Sequence, residues 1–565
     1  MALRSIFSRE IFFYSLIILL AVILRFAGLD STPLNEFEAT AALPAYELAQ
    51  GGQPALGAQP GYVILTSLVF GLIGSSESLA RLWPALFGLA LVALPYFWQD
   101  LLGKKVALVL AFLLAIDPGL VAVSRLAGGA VIAISAALMA LTAWRRGLPV
   151  LSGGLAAFTL FGAPTIYVGV AAAGLVWVTL RIPMELDKDA LRNAGLGALA
   201  VLLLGGTLLF SVPQGLAGVG GTFSAFIGGL PPFAGVGLGA ALFTLIGYAF
   251  PALIFGGLGI WQAWRRDESV GRVLSLFAAF ALALILINPN RQAADLLWFV
   301  LPLWALAAQA ISVYLVVPQD EPVAAIGEAS LMLLLAAFLV PTLARAADFG
   351  FLLAASPENP LPGISSQGMI ALFVFGIAGL ATALIALGWS RRAAAQGLVW
   401  AMAAAFALFL LSASSRFSRH ELTAANELWS PGPAAGQLGI LRETLGDLSF
   451  WNQGQQAALP IEVRSESSAL IWALRDYDQG DSAAAPALAI TTAEGETPAE
   501  FAAYRGQSFA LSVQRAWEGW PPNFFAWFLF RQAPTQSQQL ILWANADLFA
   551  DAGSVDLTPA EGDAP

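Results

Sequence analysis

Long apolar runs separated by short polar breaks fill the first 413 positions of the chain. The runs are continuous, without the alternation of a β-barrel strand, and many lie near the roughly 20 residues needed to cross a bilayer as a helix. The first is "IFFYSLIILLAVILRF". Others fall at about 79–99, 106–123, 129–144, 149–163, 165–181, 194–211, 236–263, 271–287, 295–316, 327–345, 368–389 and 397–413, which predicts about thirteen spans. The shorter run 61–74, "GYVILTSLVFGLIG", is read as a helix lying at or re-entering the outer face. Residues 29–78 then form a long first outer loop with two helices, and 212–235 and 346–366 form further outer loops.

The pattern changes after residue 413. "LPIEVRS", "ALAITTA", "SFALSV" and "QLILWAN" read as strands, and "SSALIWALRDY" and "NFFAWFLFRQ" as amphipathic helices. The sequence therefore predicts a transmembrane domain over 1–413, a small extracytoplasmic α/β domain over 414–550, and an acidic disordered tail over 551–565.

Charge orients these elements. Alternating spans from a cytoplasmic N-terminus, anchored and not cleaved, puts 14 Lys and Arg residues inside and 5 outside, as the positive-inside rule requires of a plasma-membrane protein. The net charge of −10 belongs to the C-terminal region, where 18 acids face 8 bases; before it 19 acids balance 19 bases. An acidic outer region is a poor partner for nucleic acid. The "VPQGLAGVGG" stretch lacks the G-K-[ST] ending of a phosphate-binding loop.

Composition narrows the chemistry. With no cysteine and one histidine, His420, disulfides, thiolate chemistry and histidine catalysis drop out. What remains is carboxylates and guanidinium groups. Glu36 and Glu38 in "PLNEFEA" follow the first span. Asn35 is a good N-cap, with Glu36 at N1 and Glu38 at N3, so both acids suit a helix start; the same helix end can also face a substrate. Asp117, at membrane depth in "LAIDPGL", is either a site carboxylate or a helix break at the interface. Arg125 and Arg291 lie near outer helix ends and read as phosphate ligands or as interfacial arginines, Arg291 with Asp295 as its partner four residues on. Tyr62 reads as a substrate contact or as part of an aromatic belt. "WEGWPPNFFAWFLF" is read as a packing element.

The order of these features resembles a known superfamily. A first span ending in Arg-Phe leads to "GLD…PL…EA", an outer helix and "RLWPAL"; a paired-base turn, "SR" at an outer helix end and "NPNRQAADLLWFVLPLWALAA" follow. This resembles the C-type (GT-C) integral-membrane glycosyltransferases of the protein O-mannosyltransferase and aminoarabinose-transferase kind, across about residues 10–415. "WALRDY" and "YRGQSFAL" are similar to a branch related to archaeal flippase-activity-associated proteins. The resemblance implies transfer of a sugar from a polyprenyl-phosphate donor to a glycan, lipid or protein acceptor at the outer face. Glu36, Glu38 or Asp117 would act on the acceptor, and Arg125, Arg291 and Tyr62 would bind the donor. It allows a divalent metal, although no ligand cluster is legible.

Two departures stand out. Phe37 occupies the place of the acidic residue in the family's P-L-x-x-D-E-A pattern, and Gly128 and Ala130 stand where many relatives carry an arginine and an aspartate. They motivate an alternative: a catalytically silent relative that binds lipid-linked glycan or scaffolds an envelope pathway. A transporter fits less well, because no internal repeat is visible.

Overall fold

The computed structural model describes residues 9–181, 187–229, 235–315, 322–349, 364–418, 424–479, 486–493 and 501–549. Arg4, His420, the "SPENPLPG" stretch and the tail lie outside them.

The chain divides into two compact units. The first comprises Met1–Thr32, Phe37–Gly432 and Arg515–Thr535 and is built of helices. Among the described residues, six helices are long and apolar enough to cross a membrane, or eight if two bent pairs are each taken as one span. Shorter apolar helices at Ala130–Arg145, Pro149–Gly162 and Ile166–Leu180 cover three more of the expected runs, and Pro60–Ile73 covers the shorter run 61–74. The segment 29–78, expected as the first outer loop, carries its two helices at Glu36–Ala49 and Pro60–Ile73.

The helix Leu297–Tyr314 is the hub. It packs on Lys104–Ile116, Phe250–Arg265, Ser269–Ile287 and Arg391–Arg416, and almost all of its residues are buried. Close packing elsewhere depends on small residues, as expected for helices in lipid. A Cβ on Gly153 would lie 1.8 Å from the Ala194 carbonyl oxygen, and one on Gly197 would lie 2.0 Å from that of Val150.

Three expected spans are interrupted. The run 106–123 bends by 59° between Lys104–Ile116 and Pro118–Ser124, and 236–263 bends by 81° between Leu238–Tyr248 and Phe250–Arg265. At the first bend Pro118 has no N–H to continue the ladder, and Asp117 Oδ1 caps the new helix by accepting from Leu120 N–H at 2.6 Å. The run 194–211 ends its α-helix at Ala200, passes through a π turn at Val201–Gly205, and reaches Leu208, Leu209 and Phe210 with positive φ. Conversely, part of the expected loop 212–235 is the helix Ala217–Gly228.

The second unit comprises Pro33–Glu36, Pro433–Gln514 and Gln536–Pro565. Its five strands are β1 (Ala434–Ala435), β2 (Ile461–Arg464), β3 (Leu488–Thr492), β4 (Tyr504–Arg515) and β5 (Thr535–Asn545), in the order β1-β4-β5-β3-β2. β2 runs parallel to β3, with Val463 opposite Ile490, and β3 is antiparallel to β5, with Ile490 opposite Leu542. β3 lies inside the sheet, between β5 and β2, and its first four residues are buried. Phe501 stacks on Trp543 beside it with ring centres 5.3 Å apart.

The partition differs from a boundary at residue 414. Residues through Gly432 belong to the helical unit, as does Arg515–Thr535, which contains the helix Phe524–Phe530. The rings of Trp517, Trp520, Phe524 and Trp527 surround Phe243, so this aromatic stretch is a packing element of the helical unit.

Candidate functional site

The turn after the first expected run, the start of the run 79–99 and the turn after the run 106–123 converge on a set of buried charges. Glu38, two residues into Glu36–Ala49, accepts two hydrogen bonds from Arg81: Nε to Oε1 and Nη2 to Oε2, each at 2.7 Å. Ala127 N–H adds a third, at 3.0 Å to Oε1. The remaining Arg81 nitrogen, Nη1, donates to the Leu29 and Thr32 carbonyls at 2.7 and 2.9 Å. One carboxylate thus ties the first loop to the start of Leu82–Ala93 and to the turn 125–129.

Arg125 works on the end of the first helix, Arg9–Phe26. Nη1 donates to the carbonyls of Leu24, Arg25 and Ala27, and Nη2 to that of Gly28. Helix C-terminal carbonyls lack intrahelical partners and carry partial negative charge, so a guanidinium satisfies both needs. Burial pulls the Arg125 pKa down to about 10, with Arg81 pushing the same way, and the group remains cationic at neutral pH. Arg25 repeats the device on Lys104–Ile116, donating to Leu114 O at 3.0 Å and Ala115 O at 3.1 Å.

The other sequence candidates occupy separate structural positions. Asp117 Oδ2 accepts from the Trp304 indole at 2.8 Å while Oδ1 caps Pro118–Ser124. Arg291 donates to the Ile285, Leu286 and Val236 carbonyls, closing the end of Ser269–Ile287. Asp295 does not serve as its ion-pair partner; it joins a capping box with Gln292, accepting Gln292 N–H at 2.8 Å. Tyr62 is fully buried and donates its hydroxyl to Ala80 O at 2.8 Å. Glu36 belongs to the second unit, where its carboxylate accepts from Ser467 Oγ at 2.6 Å, Ser468 N–H at 2.7 Å and Ala469 N–H at 3.1 Å.

Beside the Glu38 cluster lies a cleft lined by Phe37, Gln59, Gly128, Ala130, Gln292 and Trp429 among others. The positions where the sequence departs from the family pattern therefore meet on one wall. A Cβ on Gly128 would lie 3.4 Å from the Phe37 ring and 3.0 Å from Gln59 Oε1, so Phe37 takes the room beside the missing side chain. No carboxylate or cation lines this cleft among the described residues. Its polar groups are Gln59, whose Oε1 accepts Gly129 N–H at 2.5 Å, Thr165, Gln292 and the Trp429 indole, a buried N–H without a protein acceptor. Gln59, Gln292 and Trp429 carry no local sequence signal; only the fold gathers them. Among the described residues no three His, Cys, Asp or Glu side chains gather as metal ligands, and the cleft offers no carboxylate to balance the charge of a divalent cation.

No protein-family model and no curated protein matches the chain by sequence. Solved structures match it in fold. ArnT from Cupriavidus metallidurans bound to undecaprenyl phosphate superposes with a TM-score of 0.54 at 15% identity, covering 94% of this chain and 98% of that one. The apo form of the same protein gives 0.50 at 17% identity, covering 84% and 86%. The chain has the GT-C fold. The GT-C likeness spans nearly the full length of both proteins, so it takes in the C-terminal sheet as well as the helices. Within this GT-C chain the Glu38–Arg81 pair and the Phe37 cleft lie together in the helical unit.

Proposed function

We propose that the chain is a membrane glycosyltransferase that moves a sugar from a polyprenyl-phosphate donor to a glycan, lipid or protein acceptor on the outer face of the cytoplasmic membrane. The observation that carries this reading is the near full-length GT-C fold, matched to a protein whose structure holds undecaprenyl phosphate. In such a transfer the bond between the sugar's anomeric carbon and the phosphate oxygen breaks, the acceptor oxygen bonds to that carbon, and its proton passes to a base. A carboxylate suits the proton and guanidinium groups suit the leaving phosphate.

Glu38 is the carboxylate we assign to the acceptor, with Arg81 and Arg125 as the adjacent cations. A donor phosphate arriving at Arg81 competes with Glu38 for the same guanidinium and would release the carboxylate toward the acceptor. The assay is purified protein with a polyprenyl-phosphate-linked sugar, read as release of polyprenyl phosphate. Release that disappears in Glu38→Gln supports the assignment; release unaffected by Glu38→Gln removes Glu38 from the chemistry.

One observation favours a second reading, the catalytically silent binder. Phe37 closes on Gly128, and Glu38 and Asp117 are each held by hydrogen bonds to neighbouring groups. A donor that binds and is never turned over, across glycan, lipid and peptide acceptors, would favour that reading.

A further inference from the structure

At the other end of the helical unit two cavities adjoin, both outside the cluster described above. One, of about 540 Å³, is almost wholly apolar and is walled by Trp98, Leu141, Trp177, Phe277 and Leu301 among others. The second, of about 520 Å³, is lined by Lys105, Gln262, Arg266, Glu268 and Gln309. They share Leu101, Leu102, Ser269 and Val270, so they lie against each other along those residues. Each is the size of a small-molecule site.

Charge at the polar mouth is incompletely neutralised. Lys104 pairs with Glu10 at 3.1 Å, Arg266 with Glu268 at 3.8 Å and Arg272 with Asp267 at 2.6 Å. Lys105 makes no ion pair among the described residues and is exposed in the mouth. This is the end of the bundle that the Lys and Arg bias assigns to the cytoplasm. At the far wall Trp298 donates its indole N–H to Thr165 O at 2.8 Å, and Thr165 lines the outer cleft, so that contact separates the two regions.

We propose that the adjoining cavities together bind an anionic phospholipid of the cytoplasmic leaflet, with an acyl chain in the apolar chamber and the phosphate at Lys105. An apolar chamber of this size in a membrane fills with hydrocarbon, not water. A single unneutralised lysine at its mouth selects an anionic head over a zwitterionic one, and anionic lipids concentrate in that leaflet. The site is independent of the sugar-transfer reading.

The test is native mass spectrometry of the full-length protein after exchange into mixed micelles of equimolar phosphatidylglycerol and phosphatidylcholine. We expect one retained phosphatidylglycerol, preferred about fivefold, the selectivity one lysine near the surface supplies. Lys105→Gln should abolish the preference while Lys104→Gln leaves it. Val273→Trp, which narrows the apolar chamber, should reduce retention of both lipids. Lys105 is exposed, so its variant tests the head-group contact even if Val273→Trp fails to fold. Equal retention of the two lipids, a preference unchanged by Lys105→Gln, or displacement of the phospholipid by added polyprenyl phosphate would overturn the proposal.

Discussion

Glu38 and Arg81 meet in a two-pronged ion pair, both contacts at 2.7 Å, with side chains 2% and 5% exposed. Removing one partner of such a pair leaves an uncompensated buried charge, which typically costs about 3–5 kcal/mol. Arg81→Ala and Glu38→Ala should each lower the melting temperature in detergent. The double variant should lose less than the sum of the two, because the pair is a shared interaction. Additive losses would mean that the two residues stabilise the fold separately.

Arg125 predicts a local effect. Its guanidinium holds four carbonyls at the end of Arg9–Phe26, so Arg125→Gln strips most of these bonds. Leaving buried acceptors unpaired costs about 1–3 kcal/mol each before relaxation. Amide hydrogen exchange should accelerate at the last turn of that helix and in the residues that follow it. Unchanged protection there would show that the carbonyls have found other partners.

Phe37 and Gly128 should be coupled. Gly128→Val forces a larger side chain against the Phe37 ring and Gln59, and overpacking of this kind costs about 1–3 kcal/mol. Phe37→Ala opens that space, so the double variant should be more stable than the two single losses predict. A double-mutant cycle on thermal stability measures the coupling, and a value within about 0.5 kcal/mol of zero would contradict the contact.

Arg531 predicts what holds the segment 515–535 in place. It lies 4.1 Å from the Trp527 ring centre and 4.5 Å from that of Tyr248, and its Nε donates to Glu427 Oε1 at 3.2 Å. Glu427→Gln leaves the buried cation unpaired, and limited proteolysis should then cut between 515 and 535 faster than in the parent. Equal cutting rates would show that the aromatic contacts alone secure the segment.

The elements that sequence made legible are those with a local signature. The period-2 runs gave strands at β2 through β5, and the acidic start at Asn35–Glu38 gave a helix at Glu36–Ala49. The break at Ala249 was hidden because the apolar run continues through it, whereas a helix break at Asp117 was one of the two readings the sequence offered. The helix Ala217–Gly228 was hidden by its glycines, which read as loop. At the candidate site, Glu38 was visible as a residue but its partner was not, since Arg81 lies 43 positions away. The same holds for the Glu427–Arg531 pair, and for the cleft that gathers Phe37, Gly128 and Trp429 from three distant segments. Arg125 and Arg291 read in sequence as phosphate ligands or interfacial arginines, whereas helix ends meeting in space make them, and Arg25, carbonyl caps.

The central claim is that this GT-C chain handles polyprenyl-phosphate-linked sugar. Native mass spectrometry of the detergent-purified protein, read for co-purified lipid, tests it most directly and requires no choice of sugar. The account predicts a bound polyprenyl-phosphate species whose occupancy falls on Arg81→Ala or Arg125→Ala in variants that remain folded. Repeated absence of such a lipid, from preparations that retain ordinary phospholipids, would contradict it.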